Sequence, residues 1–524
     1  MLRGRRRQHP RIDYRSRPRE QRKALRLALS WLAISLIAAC RATGEEAKPK
    51  ADAPRVLQGT TAARWKPCAC PVREPAAKAK PSLTHGPVLG AVSDRSIKVW
   101  ARSGGREKLS VRLWPADSEA EMRCSAPVPF AKDEDGTAVA SLEGLEPSTA
   151  YVYRLELIGE GESCGTAASS AKTFRTLPKA GSPARVRFAV GADVQGSDIP
   201  GFTGIAATKP DFVLMIGDNV YADADGHVAG DFSASWKRYR KLYQKVWGGA
   251  QFRQLFSRTP VFMTWDDHEI MENYWKGKDE LRYGVARSLF DSYQANHNPN
   301  PIHPGELYYS FQAGDIGFFV LDVRTHRDSN EGKQRTDPTK TMLGAAQRKA
   351  LEDWLANDPS RVRVIVSAVI FSTVRTTGAD SWRAFEVERL ALLAAIAAHG
   401  EKATIILSGD QHWSAVLRNT VDKPARYTVY EFQTTPLGSG LRPAPEKVND
   451  SVLALDNTHR VFGLFDIDTR SDPPRLDFTL CAVGEPCNPH NEPPPRSIDP
   501  QTATVPYSLS FVTSDGGFVL QEAK

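Results

Sequence analysis

Between residue 84 and residue 178, apolar and polar residues alternate over short runs, each closed by turn-forming residues. Ser96–Arg102 and Lys108–Trp114 alternate most clearly, and Thr137–Leu142, Ala150–Leu157 and Ala171–Leu177 follow. Short strands at this spacing predict a small β-sandwich. After Pro183 the period changes. Continuously apolar runs of strand length (Val186–Val190, Phe212–Ile216, Val261–Thr264, Phe318–Leu321, Val362–Val366, Thr404–Leu407) now alternate with stretches of helical spacing. The helical stretches are Ser235–Phe256, Asp279–Asn296, Gly344–Leu355 and Phe385–Ala398. Buried strands alternating with helices predict an α/β domain over 184–524. From about Arg460 the pattern is β again (Val461–Ile467, Leu476–Leu480, Tyr507–Val512), as expected of strands that complete or flank that sheet.

In α/β folds the loops after the carboxyl ends of strands bind ligands. Here those loops carry acids. Val186–Val190 leads to Asp193, Phe212–Ile216 to Asp218, Val261–Thr264 to Asp266-Asp267-His268, and Thr404–Leu407 to Asp410-Gln411-His412. Asp218 can bridge two cations through its two oxygens, and Tyr221, three residues on, can turn back as a phenolate suited to ferric iron. Asp267 can ligate while His268 beside it faces a substrate as acid or clamp. Asp410 and His412, at i and i+2, point the same way in an extended chain. Each signal has a plainer reading: Asp218 as a helix cap, the acidic pair as solvated surface, the Gly409–His412 segment as a polar turn. Four such loops in this order point instead to a metal centre. Its oxygen-rich donor set (Asp193, Asp218, Tyr221, Asp267, Asp410) suits hard cations better than a pure zinc site.

The order and wording of these loops resemble the binuclear metallophosphoesterases and, more narrowly, the alkaline phosphatase D (PhoD) family. The residues that carry the resemblance are Gly217-Asp218-Asn219-Val220-Tyr221, Trp265-Asp266-Asp267-His268-Glu269, Leu321-Asp322-Val323-Arg324, Met342-Leu343-Gly344-Ala345-Ala346-Gln347, Ser408-Gly409-Asp410-Gln411-His412 and Tyr430-Glu431-Phe432. Leu145–Tyr151 is similar to the fibronectin-type domain that precedes the catalytic domain in that family. The resemblance runs from about residue 85 to 470. It implies a four-layer αββα core behind an N-terminal fibronectin/Ig-like sandwich (84–178), and a binuclear or trinuclear centre of Fe3+ with Ca2+, Zn2+ or Mn2+ being alternatives. Asp218 would then bridge the metals, Tyr221 would bind ferric iron, Asp267 would stand for the superfamily's metal-binding Asn and His268 for its catalytic His. Asp410 and His412 would fill the remaining metal positions. Three departures stand out. Ala192-Asp193 replaces a Ser-Cys step, so that Asp193 substitutes for the Cys ligand, and Gln195 stands where the wider superfamily has a His. Asp380-Ser381-Trp382 is followed by Arg383-Ala384-Phe385 rather than Asp-Gly-Tyr. No His-bearing loop lies between 364 and 376.

The expected activity is that of an exported metal-dependent phosphohydrolase. Two cations held by such residues would supply hydroxide for in-line attack on phosphorus and neutralise charge on its equatorial oxygens. His268 protonates or stabilises the leaving alkoxide, oriented by Glu269 or a nearby carboxylate. Arg324 and Arg327 are candidate phosphate clamps, surface salt bridges being their plainer reading, and Asn219 is a candidate donor to the same phosphate. The partner is a phosphate ester; a diester hydrolase on the same fold, or a non-catalytic surface lipoprotein, are the alternatives.

Net charge first suggests a nucleic-acid partner, but its distribution along the chain does not imply one. The chain totals +8, but residues 1–39 hold eleven Lys/Arg against Asp13 and Glu20, a balance of +9, which leaves −1 for the rest. No basic nucleic-acid surface is implied. The arginine-rich stretch runs into the 13-residue apolar run Leu27–Ala39, too short to span a bilayer and of signal-peptide length. Small residues before Cys40 resemble a bacterial lipoprotein cleavage box, implying a lipid anchor at Cys40 on the periplasmic or cell-surface side; an ordinary signal peptide cut near Ala39 is the alternative. Residues 40–83, rich in Ala, Lys and Pro, read as a tether. The six remaining cysteines suggest disulfides in an exported protein, with Cys124–Cys164 and Cys481–Cys487 as the expected pairs.

Overall fold

A computed structural model describes residues 66–75 (except 69 and 72), 83–224 (except 106), 231–374 (except 333), 380–421, 427–444, 451–487, 507–514 and 517–521. The segment 1–39 read as a signal peptide, Cys40 and the chain to residue 65 lie outside the described residues.

Two large sheets stack face to face. One has ten strands in the order Gly517–Leu520, Tyr507–Ser514, Arg475–Ala482, Val461–Asp468, Arg185–Gly191, Phe212–Ile216, Val261–Thr264, Leu83–Gly90, Ser96–Ser103 and Thr137–Glu143. The other has seven: Tyr309–Ala313, Ile316–Val320, Val362–Val366, Ala403–Ser408, Tyr427–Gln433, Ser414–Val421 and Val452–Asp456. Alternation along each central strand explains the layers. Phe188, Phe212, Leu214, Phe318, Val364 and Leu407 point into the space between the sheets. Their neighbours Ala189, Val213 and Met215 face one outer helical layer, and Phe319, Ile365 and Ile406 face the other. Phenylalanines dominate the central seam: Phe188 and Phe212 meet Phe318 edge-on at 5.4 and 5.6 Å, and Phe432 meets Phe465 at 5.2 Å. Each fully buried Phe contributes roughly 1.5–3 kcal/mol. The resulting order, helices–sheet–sheet–helices, is the four-layer core expected from the sequence.

Helix boundaries follow local chemistry. Asp231 caps Phe232–Trp247 by accepting from the N–H groups of Ser233 and Ala234 (2.7 and 3.1 Å), and Asp279 caps Glu280–Tyr293 through Arg282 N–H (2.9 Å). The single helix expected over Ser235–Phe256 is broken at Gly248-Gly249, and Ala250–Phe256 continues as a separate one.

The N-terminal strands are less separate than expected. Leu83–Gly90, Ser96–Ser103 and Thr137–Glu143 extend the ten-stranded sheet, because Gly90 pairs in parallel with Val261. A Cβ at Gly90 would lie 2.2 Å from the carbonyl oxygen of His297, so only glycine allows this approach. A further seven-stranded sheet, led by Lys108–Pro115 and Ala150–Ile158, covers this extension and shares its core through Leu109, Val111, Tyr153 and Val99. Trp100 donates its indole N–H to Ser292 (2.9 Å), and buried Asp135 accepts from Arg102 (3.0 Å) and Gln244 (2.8 Å), tying these strands to the helical layer.

Part of the stretch read as a tether is fixed. Lys66–Pro67 pairs with Arg123–Cys124, and disulfides join Cys68 to Cys124 and Cys70 to Cys164. The Cys124–Cys164 pair expected from the sequence is therefore replaced by two others, whereas Cys481–Cys487 forms as expected.

Candidate metal centre and active site

Strands Arg185–Gly191, Phe212–Ile216 and Val261–Thr264 run parallel to one another, as do Val362–Val366 and Ala403–Ser408 in the facing sheet. Their carboxyl ends deliver the acidic loops to one place. The chain turns sharply there. Asp193, Asp218, Asp410 and His412 all have left-handed backbones, with φ of 60°, 51°, 73° and 60°. Such a conformation costs a non-glycine residue free energy and persists where surroundings enforce it, commonly at functional sites. Gly217 (φ 114°) packs so closely that a Cβ would lie 2.8 Å from that of Asp266 and 3.0 Å from that of Ala368. Backbone bonds lock the loops together: Val194 N–H donates to Asp218 (2.7 Å), Gly409 N–H to Ala368 (2.9 Å) and Ser439 N–H to Asp193 (2.9 Å).

Three sets of donor atoms lie within 4.8 Å of one another: Asp193, Asp218 and His412; Asp218, Asp267 and His268; and Asp266, Asp267 and Asp410. Because Asp218 and Asp267 each belong to two sets, the three are contiguous. Tyr221 joins them, its hydroxyl 3.0 Å from Nε2 of His412 and 3.4 Å from Asp193 Oδ1. The structure thus brings together all six residues expected as ligands (Asp193, Asp218, Tyr221, Asp267, Asp410, His412). It adds Asp266, whose adjacency to Asp267 was the available signal.

The chemistry of this set fits cations. His412 Nδ1 faces the carbonyl of Gly440 at 2.7 Å, which places a proton on Nδ1 and turns Nε2 toward Asp193 Oδ1 at 3.0 Å. Asp267 Oδ1 and Asp266 Oδ2 are buried without a hydrogen-bond partner. Burial, reinforced by the neighbouring carboxylates, holds Asp218 and Asp410 well above the usual carboxylate range. Burial and Asp267 do the same to Asp266 against the pull of Arg324. Asp193 goes the other way: burial pushes it up, but His412 and Thr435 outweigh that.

A pH dependence follows for protein stripped of metal. Carboxyls raised in the folded state stabilise it fully below their unfolded values near ~4, and that contribution is lost as pH rises through the raised values. His268, pushed up to about 10, acts in the same direction over ~6.5 and above. Asp193 acts only below ~4. The melting temperature of the chelator-treated protein is therefore expected to rise as pH is lowered from about 9 towards about 5. Saturating metal should flatten that slope, and calorimetry across the range decides it.

His268 is held from several sides. Its ring stacks on Tyr221 (centroids 4.2 Å apart), and its Nδ1 faces both oxygens of Asp223 at 2.9 and 3.1 Å. Burial alone would lower its pKa, but the Asp223 hydrogen bond and the charges of Asp267, Asp223 and Glu272 reverse this. Of the two expectations for its orientation, Glu269 or a nearby carboxylate, the second matches Asp223; Glu269 turns inward and accepts from the N–H groups of Asp218, Asn219 and Asp266 (3.2, 2.8 and 3.0 Å), joining two acidic loops. Asp223, two residues beyond Tyr221, was missed in the sequence because nothing in its spacing marks it.

The three expected phosphate contacts are placed differently. Arg324 and Arg327 are 0% and 2% exposed, so their ion pairs are internal rather than surface salt bridges. Arg324 binds Asp380 (3.0 and 3.1 Å) and Asp266, and lies 3.6 Å from Asp267; Arg327 pairs with Asp380. These guanidiniums are internal counter-charges that steady the acidic loops. Asn219 spends its amide N–H groups on Thr264 (2.8 Å) and Gln294 (2.9 Å). Removing one partner of a buried ion cluster leaves the rest uncompensated, so Arg324→Ala is expected to cost ~3–5 kcal/mol of stability. Denaturant unfolding measures this, and a change below ~1 kcal/mol, typical of an exposed pair, would contradict the assignment.

Asp218, Asp267, Asp410, His412 and His268 open onto a cleft of about 350 Å³, whose lining also includes Glu272, Asn273, Trp275, Lys278, Glu331 and Arg442.

The chain is similar to several known proteins. Alkaline phosphatase D of Bacillus subtilis (strain 168) is 25% identical over 436 residues, 72% of this chain and 73% of that one. Purple acid phosphatase 13 of Arabidopsis thaliana is 28% identical over 211 residues, 36% of each chain. Among solved structures, that of PhoD superposes with a TM-score of 0.68 at 19% identity, covering 86% of this chain and 94% of its own. The purple acid phosphatase PPD1 of yellow lupin seeds gives 0.55 at 15% identity, covering 76% and 72%. These last two likenesses concern the fold. A family model described as PhoD-like phosphatase matches residues 188–473, a stretch that holds every candidate ligand and His268. With more than half of its length matched by that model, the chain belongs to the PhoD-like phosphatase family.

Proposed function

We propose that the protein is an exported phosphoric ester hydrolase that releases phosphate at a multi-metal centre. One observation carries the reading: five buried carboxylates, a tyrosine and a histidine converge beneath a cleft into which a separately anchored imidazole, that of His268, faces. Bound metals would supply a nucleophile at ordinary pH and neutralise charge on the phosphoryl oxygens. Asp193, Asp218, Tyr221 and His412 would hold one cation, with iron favoured by the phenolate, and Asp267 and Asp410 a second hard cation such as calcium. Asp223 keeps the Nδ1 proton of His268 in place, so that Nε2 presents its own proton to the leaving oxygen.

Three disulfides support an oxidising compartment, in keeping with the arginine-rich and apolar N-terminus and with lipid attachment at Cys40. The two strand layers between 83 and 175 are read as a fibronectin-like sandwich grown into the catalytic sheet. The test is metal analysis of purified protein followed by assays on p-nitrophenyl phosphate and bis-p-nitrophenyl phosphate. Monoester hydrolysis abolished by chelation and restored by metal is the expected result. Preferential diester cleavage would move the substrate class, and a fully metallated protein inert towards both esters would sink the reading.

A further inference from the structure

His268 meets two carboxylates, and they are not equivalent. Asp223, on Nδ1, is largely buried, its side chain 11% exposed; it also accepts from the backbone N–H of Glu272 at 2.8 Å. Glu272, on Nε2 at 3.2 Å, has a side chain 55% exposed on the rim of the cleft. Its second oxygen accepts from Asn273 Nδ2 at 2.7 Å. Nε2 is the nitrogen that would meet substrate. An oxygen of a phosphate ester, or of released phosphate, therefore needs the place that the Glu272 carboxylate occupies. Two anions cannot share that donor, and like charges at this distance repel.

We propose that Glu272 is a displaceable stand-in for phosphate: it holds the Nε2 proton of His268 between turnovers, swings out when substrate enters and returns as phosphate leaves. The backbone of Glu272 is pinned by Asp223, so the swing needs only side-chain rotation. Competition at one donor weakens the binding of substrate and product alike and hastens release. Glu272 is a positioning residue in this scheme, since it makes no contact with the reacting atoms. The inference rests on the phosphohydrolase reading above.

The experiment is titration of metal-loaded protein with inorganic phosphate by calorimetry, paired with KM and kcat for a monoester. Glu272→Ala is expected to bind phosphate about tenfold more tightly and to lower KM in parallel, because it frees a charge-assisted donor and removes a repulsive charge. Glu272→Gln, which keeps the shape, should move the same way by less. Glu331→Gln removes the same charge from the same cleft and, among the described residues, makes no bond to His268; it should change phosphate affinity by less than about twofold. Phosphate affinity unchanged or weakened in Glu272→Ala, at full metal content, would overturn the proposal and leave the hydrolase reading intact. Equal tightening in Glu331→Gln would overturn it in favour of bulk charge. A wild-type protein that binds no phosphate at all would overturn both.

Discussion

Asp218→Asn is expected to yield a folded protein with neither bound metal nor turnover. Asp218 stands in two of the three donor sets and is 2% exposed, so losing one of its anionic oxygens breaks both at once. Asparagine is the informative replacement because it tolerates the left-handed backbone that Asp218 adopts, which leaves the loop geometry alone. The electrostatics add an uncommon sign. Burial and four neighbouring carboxylates make the charged form of Asp218 costly without metal. Neutralising it should therefore raise the melting temperature of the stripped protein, whereas most buried polar lesions lower it. Elemental analysis with thermal unfolding tests both halves, and a variant that keeps wild-type metal content and rate would remove Asp218 from the centre.

The second large effect is on chemistry without loss of metal. His268→Ala should keep its metal content and lose ~10²-fold or more in kcat, the usual worth of a positioned acid. The loss should be steeper for alkyl than for p-nitrophenyl leaving groups, since a good leaving group needs little protonation. Asp223→Asn should follow the same trend more weakly, because it disturbs the ring's tautomer and leaves the stack on Tyr221 in place. Unimpaired turnover of alkyl esters by His268→Ala would discard the acid role.

Why the candidate ligands were readable in the chain and their supports were not is a matter of distance along it. Strands buried on both faces announce themselves as apolar runs: Val186–Val190 and Phe212–Ile216 became Arg185–Gly191 and Phe212–Ile216. An acid just beyond such a run is placed by the strand itself, so Asp193, Asp218, Asp267 and Asp410 could be nominated one by one. Arg324 also follows a strand, but its direction is decided by Asp380, 56 residues away, and by Asp266, 58 residues away. No local pattern encodes that. Leu83–Gly90 escaped notice because Gly86-Pro87 inside it imitates a turn, and the Ser414–Val421 strand has too little alternation to stand out. The disulfides failed for a related reason: spacing does not fix connectivity, and Cys68 and Cys70 lie in a segment of tether-like composition that strand pairing pins down.

The pairing of Gly90 with Val261 has a practical corollary. A chain trimmed to start near residue 184 would not be a smaller, tidier enzyme. It would unpair Val261, although Asn298 would still hold the N–H and carbonyl of Met263, and leave an apolar slot where Trp100 had docked. Such a fragment should self-associate through that seam, so the front third cannot be shed or exchanged as a cassette without a substitute strand to seal it.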